Sequence, residues 1–192
     1  MDQRRMRTPP SDIILIGPVR AGKTTLGRLL SEKLGWPQVS LDDVRWNYYR
    51  EIGYDDTLAQ TFRQQGGFLA LVLYWQQFDA HAIERVLSEH SGCVFDFGAG
   101  AGASESLESL ARVQKVLAPY PNVFLLLPSA NREESLQILK ARDDQPPADL
   151  RFDFNRRFLE RGIYHRLAKH TVLTKGKLPE ETRDEILNLV VQ

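Results

Sequence analysis

The sequence predicts an α/β fold, a three-layer sandwich in which five short, mostly parallel strands are covered by helices on both faces. Three observations predict it. Apolar runs bounded by glycine, proline or polar residues recur along the 192 residues, with the length and composition of buried strands. Segments with apolar residues at every third or fourth position lie between them, so strand and helix alternate. A turn rich in glycine, lysine and threonine joins the first of these strands to the first helix.

Taken in order, Ile13–Ile16 (IILI) is the first strand. The first helix begins near Lys23, sets Leu26, Leu29, Leu30 and Leu34 on one face, and stops at Gly35. Pro37–Leu41 (PQVSL) reads as a short second strand ending in Asp42 and Asp43. A long polar and aromatic region follows, Arg45 to Gln65, to which the pattern assigns no element. Gly67–His90 has helical periodicity, Gly92–Gly100 (GCVFDFGAG) is a third strand with its glycine turn, and a helix runs from about Glu105 to Leu117. Pro121–Pro128 (PNVFLLLP) is a fourth strand, Asn131–Arg142 is helical, and Asp143–Phe154 breaks that helix before Asn155–Lys169 resumes it. His170–Thr174 (HTVLT) is the fifth strand. The last helix opens with Pro179 in its first turn, and Glu180 and Glu181 sit near the positive end of its dipole. No domain boundary is evident, so residues 1–192 read as one domain with a flexible head over residues 1–11.

At 42% hydrophobic the chain can bury a core of its own. Its 25 basic residues balance 25 acidic ones, which gives no electrostatic footprint for nucleic acid or an anionic membrane. Cys93 is the single cysteine, so an intramolecular disulfide and a thiolate zinc site are both excluded. His81, His90, His165 and His170 show no HxxxH pairing. The basic head lacks the apolar region of a signal peptide, and no apolar run approaches the roughly 20 residues that span a bilayer. A soluble cytoplasmic protein is expected, without nucleic-acid or membrane partners, as a monomer or a dimer.

Gly17, Gly22, Lys23 and Thr24 fit the spacing G-x-x-x-x-G-K-[ST]. Gly17 lets the strand turn, and Gly22 tolerates a close backbone approach that a side chain would forbid. Successive backbone N–H groups and the start of the helix then face an anion. Lys23 reaches the β- and γ-phosphates and the Thr24 hydroxyl ligates Mg²⁺. Arg20, Ala21 and Thr25 complete the loop. Arg20 is read as pointing either to solvent or to substrate, and Thr25 as helix surface or a second hydroxyl near the α-phosphate.

Phosphoryl transfer needs charge neutralisation and alignment, with a carboxylate to place Mg²⁺ or to accept the hydroxyl proton. Asp42, Asp43 and Asp96 are expected at the carboxyl edge of the sheet, where ligands of open α/β sheets bind. Asp96, after the apolar "CVF", is read as the ligand of Mg²⁺ and its water or alternatively as a structural cap or turn residue, and Asp42 or Asp43 as base or acceptor ligand, one of that pair being alternatively a helix cap. Arg142, Arg151, Arg156, Arg157 and Arg161 bracket a proline-containing break. As a group they fit a lid over residues 142–157 that closes on the nucleotide, with Arg142 on the nucleotide and Arg156, Arg157 and Arg161 on substrate or lid; singly, each also reads as a solvated surface arginine. The stretch "RWNYYREIGYDD" is either an aromatic cover over the acceptor or partly buried packing. His81 is read as helix surface or alternatively as facing the acceptor, Glu84 and Arg85 as a pair on the surface or just behind the site, and Cys93 as inert core.

The order of these motifs resembles the shikimate-kinase-like P-loop kinases over most of the chain. "GPVRAGKTTLGRLLSEKLGWPQVSLDDV" is similar to that family's phosphate loop, first helix and acidic second strand. "GCVFDFGAG" stands where the family has a strand ending in three glycines, and "LERGIYHRLAKHTVLTKGKLPEETRDEIL" is similar to its tail. The resemblance implies a strand order of 2-3-1-4-5, a mobile lid, and Mg²⁺- and ATP-dependent phosphoryl transfer to a small molecule. The chain departs from the family's pattern in four places: adjacent Asp42 and Asp43 replace D-x-D, Gly98-Ala99-Gly100 replaces three glycines, "LALVLYWQQFDAH" lacks an arginine in an "FR" context, and the arginine-proline lid signature is missing. These departures point to an acceptor other than shikimate. Two alternatives stand beside that reading: a nucleoside or nucleotide kinase, and an ATP-binding regulatory switch with slow hydrolysis.

Overall fold

The computed structural model of the chain describes residues 11–99, 106–142 and 148–191. Its elements are β1 (Ile13–Ile16), α1 (Lys23–Leu34), β2 (Gln38–Ser40), α2 (Leu41–Glu51), α3 (Asp56–Glu89), β3 (Val94–Asp96), α4 (Leu107–Leu117), β4 (Val123–Leu127), α5 (Arg132–Ala141), α6 (Ala148–Arg161), β5 (His170–Leu173) and α7 (Pro179–Leu189), with a 3₁₀ turn at Ile163–Arg166. The five strands pair in the order β2-β3-β1-β4-β5, all parallel, the order that the resemblance implied.

Successive residues of a strand face opposite sides of the sheet, and here both sides are apolar. Ile14 and Ile16 of β1, Phe95 of β3, and Val123, Leu125 and Leu127 of β4 join one core with residues of α2, α3 and α4. Ile13, Leu15, Val94, Phe124 and Leu126 join a second core with Leu26 and Leu30 of α1, Leu139 of α5 and Ile186 of α7. Every residue of β1 and β4 is buried, which is why these strands read as uninterrupted apolar runs. The register sets Leu15 beside Asp96 and Ser40 beside Asp96, so β1, β2 and β3 end at one level. That common edge is where side chains from three strands can converge.

Three sequence expectations need correcting. The region Arg45–Gln65 is mostly helical: α2 buries Leu41, Tyr48 and Tyr49, and α3 begins at Asp56, capped by the Asp55 carboxylate, which accepts from the N–H groups of Thr57 and Leu58. Gly67 does not start the long helix but kinks it, at φ 68° and ψ −159°. The break placed at Asp143–Phe154 is shorter, since α6 is already helical from Ala148. Residues 143–147 of the expected lid and residues 1–10 of the expected flexible head lie outside the described residues. Among the described residues no helix is long and apolar enough to cross a membrane, α3 included.

Candidate active site

The turn after β1 is shaped by two glycines. Gly17 has φ 153°, and a Cβ there would stand 2.6 Å from the Leu126 carbonyl oxygen, so the loop leaves the strand flush against β4. Gly22, at φ 98°, caps the start of α1 in the left-handed region, which a side chain would strain. Ala21 is buried and its N–H donates to the Pro18 carbonyl at 3.3 Å. Arg20 is the one non-glycine residue with positive φ among the described residues, at 65°, and its carbonyl accepts from the Arg142 guanidinium at 3.4 Å.

Lys23 is nearly buried and folds over the loop, its Nζ donating to the carbonyls of Gly17 at 3.0 Å and Pro18 at 2.8 Å. Burial lowers its pKa to about 8, opposed by the nearby negative charges of Asp42 and then Asp96. Thr24 and Thr25 are exposed in the first turn of α1.

Asp96 ends β3 with 2% of its surface exposed. Burial raises its carboxyl pKa, while hydrogen bonds from Ser40 and Gln38 and the charge of Lys23 act in the opposite direction. Ser40 Oγ donates to Oδ1 at 2.8 Å and Gln38 Nε2 to Oδ2 at 2.5 Å. The same Gln38 amide also donates to the Thr24 carbonyl at 3.2 Å, which ties the end of β3 to the start of α1. Gly27 makes room for this tie, because a Cβ there would stand 2.6 Å from Gln38 Nε2. Oxygen donors from Thr24 and Asp96 suit Mg²⁺, a hard ion held by one or two carboxylates plus substrate phosphates and water. Gln38 and Ser40 were invisible as site residues in the sequence; the signal was their place on the strand beside Asp96.

Asp42 and Asp43 belong to the first turn of α2 rather than to the end of β2. The structure separates them. Asp42 presses its carboxylate onto Gly98, where an added Cβ would overlap it, and pairs with Arg45 Nη1 at 3.1 Å. Asp43 shares its exposure and its place at the positive end of the helix dipole but does not line the pocket that opens beside Asp42. The turn bearing Gly98 is pinned by the Tyr164 hydroxyl, which donates to the Ala99 carbonyl at 2.5 Å; Gly100 lies outside the described residues. Gly98→Ala is expected to displace the Asp42 carboxylate and to lower acceptor-dependent ADP release on the order of a hundredfold. Thermal melting run alongside would show the fold retained.

Beside Asp42 opens a pocket of about 120 Å³. Its walls are Val19, Phe68, Val72, Trp75, Ala99 and Phe154, and its polar members are Asp42, Arg45 and Asp79. The Arg45 guanidinium lies 4.6 Å from the Trp46 ring and 4.7 Å from the Trp75 ring, two cation–π contacts with rings that meet edge to face. Asp79 is 2% exposed and accepts from the Tyr49 hydroxyl. Its pKa is pushed up to about 6 by burial, which the Tyr49 hydrogen bond and the Arg45 charge oppose. The "RWNYYREIGYDD" stretch thus supplies both a wall cation and packing.

The arginines expected in the lid separate too. Arg157 and Arg161 line a smaller neighbouring cavity that shares Phe154 with this pocket, and Arg156 stands 3.9 Å from Glu133. Arg151 falls within α6. His81 and Arg85 both bind Glu51. Glu84 pairs with Arg112 rather than with Arg85.

The family model described as shikimate kinase matches residues 20–191 of the chain. A shikimate kinase of Thermobifida fusca is 31% identical over 178 residues, 90% of this chain and 91% of the relative. One of Saccharopolyspora erythraea is 29% identical, over 92% of each chain. Among solved structures, shikimate kinase from Acinetobacter baumannii in complex with shikimate superposes with a TM-score of 0.63 at 22% identity, covering 95% of this chain and 93% of that one. Shikimate kinase from Aquifex aeolicus gives 0.55 at 26% identity, over 92% and 94%.

Proposed function

The chain belongs to the shikimate kinase family and is an ATP-dependent small-molecule kinase that uses Mg²⁺; from that premise we propose that its acceptor is a compact hydroxylated ring other than shikimate, seated beside Asp42. The observation that carries this reading is the pocket next to the phosphate loop, with Asp42 at one end and aromatic side chains along its walls. A largely apolar wall with a few convergent polar groups is what a small-molecule site needs.

Each residue then has a task. Backbone N–H groups of the turn from Gly17 to Thr24 and the start of α1 hold the nucleotide phosphates. Lys23 leaves the carbonyls of Gly17 and Pro18 for the β- and γ-phosphates. Thr24 and Asp96 would hold Mg²⁺, which supplies neutralisation of charge on the transferring phosphoryl group. Asp42, held against Gly98 and oriented by Arg45, accepts the proton of the attacking hydroxyl. Arg142, Arg156, Arg157 and Arg161 complete the nucleotide side when α5 and α6 draw together.

The charge of the pocket argues against a carboxylate acceptor such as shikimate. Among the described residues that line it, Arg45 is the one cation, and both Asp42 and Asp79 lie within its field. A neutral hydroxyl-bearing ring meets no repulsion there and stacks on Trp75 or Phe68. A planar base would use the same walls, so nucleosides form the second reading. Arg45→Met is expected to raise the acceptor KM by roughly tenfold or more, the worth of a charged hydrogen bond, with the KM for ATP little changed.

ADP release from MgATP would be measured across shikimate, sugar acids, neutral cyclic polyols, nucleosides and nucleoside monophosphates, with Lys23→Ala as the blank. Stimulation by a neutral ring, abolished in the blank, supports the reading. Stimulation by shikimate alone overturns the choice of acceptor, and stimulation by nucleosides selects the second reading.

A further inference from the structure

Nothing in the phosphate loop itself explains why Arg20 holds a left-handed backbone. At φ 65° it sits where a side chain other than glycine is disfavoured. Such strain persists only where the surroundings fix it. The preceding residue shows what does so here. Val19 N–H donates to Asn155 Oδ1 at 2.8 Å, and Asn155 Nδ2 donates back to the Val19 carbonyl at 3.2 Å. Asn155 is 3% exposed and 136 residues distant in sequence. Its amide therefore satisfies both polar groups of one loop residue, as a neighbouring strand would. On the other side of the strained residue, Arg142 donates to the Arg20 carbonyl.

We propose that Asn155 is a positioning residue for the nucleotide: by gripping Val19 from α6 it fixes the first half of the phosphate loop, so that the N–H groups of the second half face the phosphates. The two grips come from the last residues around α5 and from the middle of α6, the elements on either side of residues 143–147. The phosphate loop is thus shaped by the same two helices that carry Arg142, Arg156 and Arg157. Val19 and Phe154 both line the acceptor pocket as well, so the contact stands where nucleotide and acceptor sides meet. Asn155 itself acts through Val19 rather than on a phosphate. The inference rests on the phosphate-loop reading of residues 17–24 and is independent of which acceptor is used.

The test is calorimetric titration of the full-length protein with MgATP, and separately with inorganic tripolyphosphate, which carries no base. For Asn155→Ala the Kd of both ligands is expected to rise about tenfold, while circular dichroism shows the fold intact. The KM for ATP in the basal ADP-release reaction should rise in proportion, with kcat changed less than threefold. Asn155→Asp keeps an acceptor for the Val19 N–H but loses the donor, and is expected to fall between the two. A Kd within twofold of the unsubstituted protein for both variants overturns the proposal. Should Asn155→Ala fail to fold, the near-isosteric Asn155→Asp decides alone. Absence of MgATP binding by the unsubstituted protein would instead overturn the phosphate-loop reading, and this inference with it.

Discussion

Lys23→Ala is expected to reduce acceptor-dependent ADP release by roughly a hundred- to a thousandfold, the scale set by deleting one preorganised charge at a transition state. Lys23 is nearly buried, and its ammonium is held by the carbonyls of Gly17 and Pro18 at the base of the loop. The same lysine gives the fold a pH signature. Its folded pKa is lowered from 10.5 to about 8. Between those values the unfolded chain binds more protons than the folded one, so this group makes stability rise with pH across that window. Melting curves of the ligand-free protein from pH 8 to 10.5 should show that component, and Lys23→Ala should lack it. A parallel loss of MgATP affinity as pH rises through about 8 would mark the neutral amine as the cause.

Asp42→Asn is the second large effect, an expected fall in kcat of about 10²- to 10⁴-fold with MgATP binding retained, as for removal of a general base. The position of Asp42 supports it: the carboxylate lies on Gly98, carries Arg45 at 3.1 Å, and opens onto the acceptor pocket. Asp43 on the next position of α2 is exposed, as Asp42 is, but does not line that pocket. Steady-state rates of Asp42→Asn and Asp43→Asn measured side by side separate the two. A loss carried by Asp43 instead would sink the assignment.

How much of this was readable in the sequence depended on whether the determining contacts were local. The strands β1 and β4 are buried on both faces, so their apolar runs declared them, and the motif from Gly17 to Thr24 announced its own turn. The helix α2 was hidden because its buried face is carried by Leu41, Tyr48 and Tyr49 among arginines, aspartates and an asparagine, a pattern that reads as a polar aromatic segment. Adjacent Asp42 and Asp43 looked equivalent for the same reason: both are exposed, and only the turn of α2 sends one of them to Gly98 and Arg45. Gly66 and Gly67 suggested a boundary where the chain makes a kink. Gln38 meets Asp96 across 58 residues and Asn155 meets Val19 across 136. Neither side chain has a neighbour in sequence that would mark it, since both act through the parallel sheet and the packing of α6 over the phosphate loop.

The packing of Arg45 against two indoles gives the protein an optical reporter of its own. The chain has three tryptophans, and two of them, Trp46 and Trp75, meet edge to face with their rings 5.4 Å apart and both lie against that guanidinium at the pocket wall. Indole emission responds to an adjacent charge and to the exclusion of water. Any compound that enters beside Asp42 and shifts the guanidinium will therefore change the intrinsic fluorescence, and a chemical library can be screened on the unlabelled protein before a single turnover has been observed.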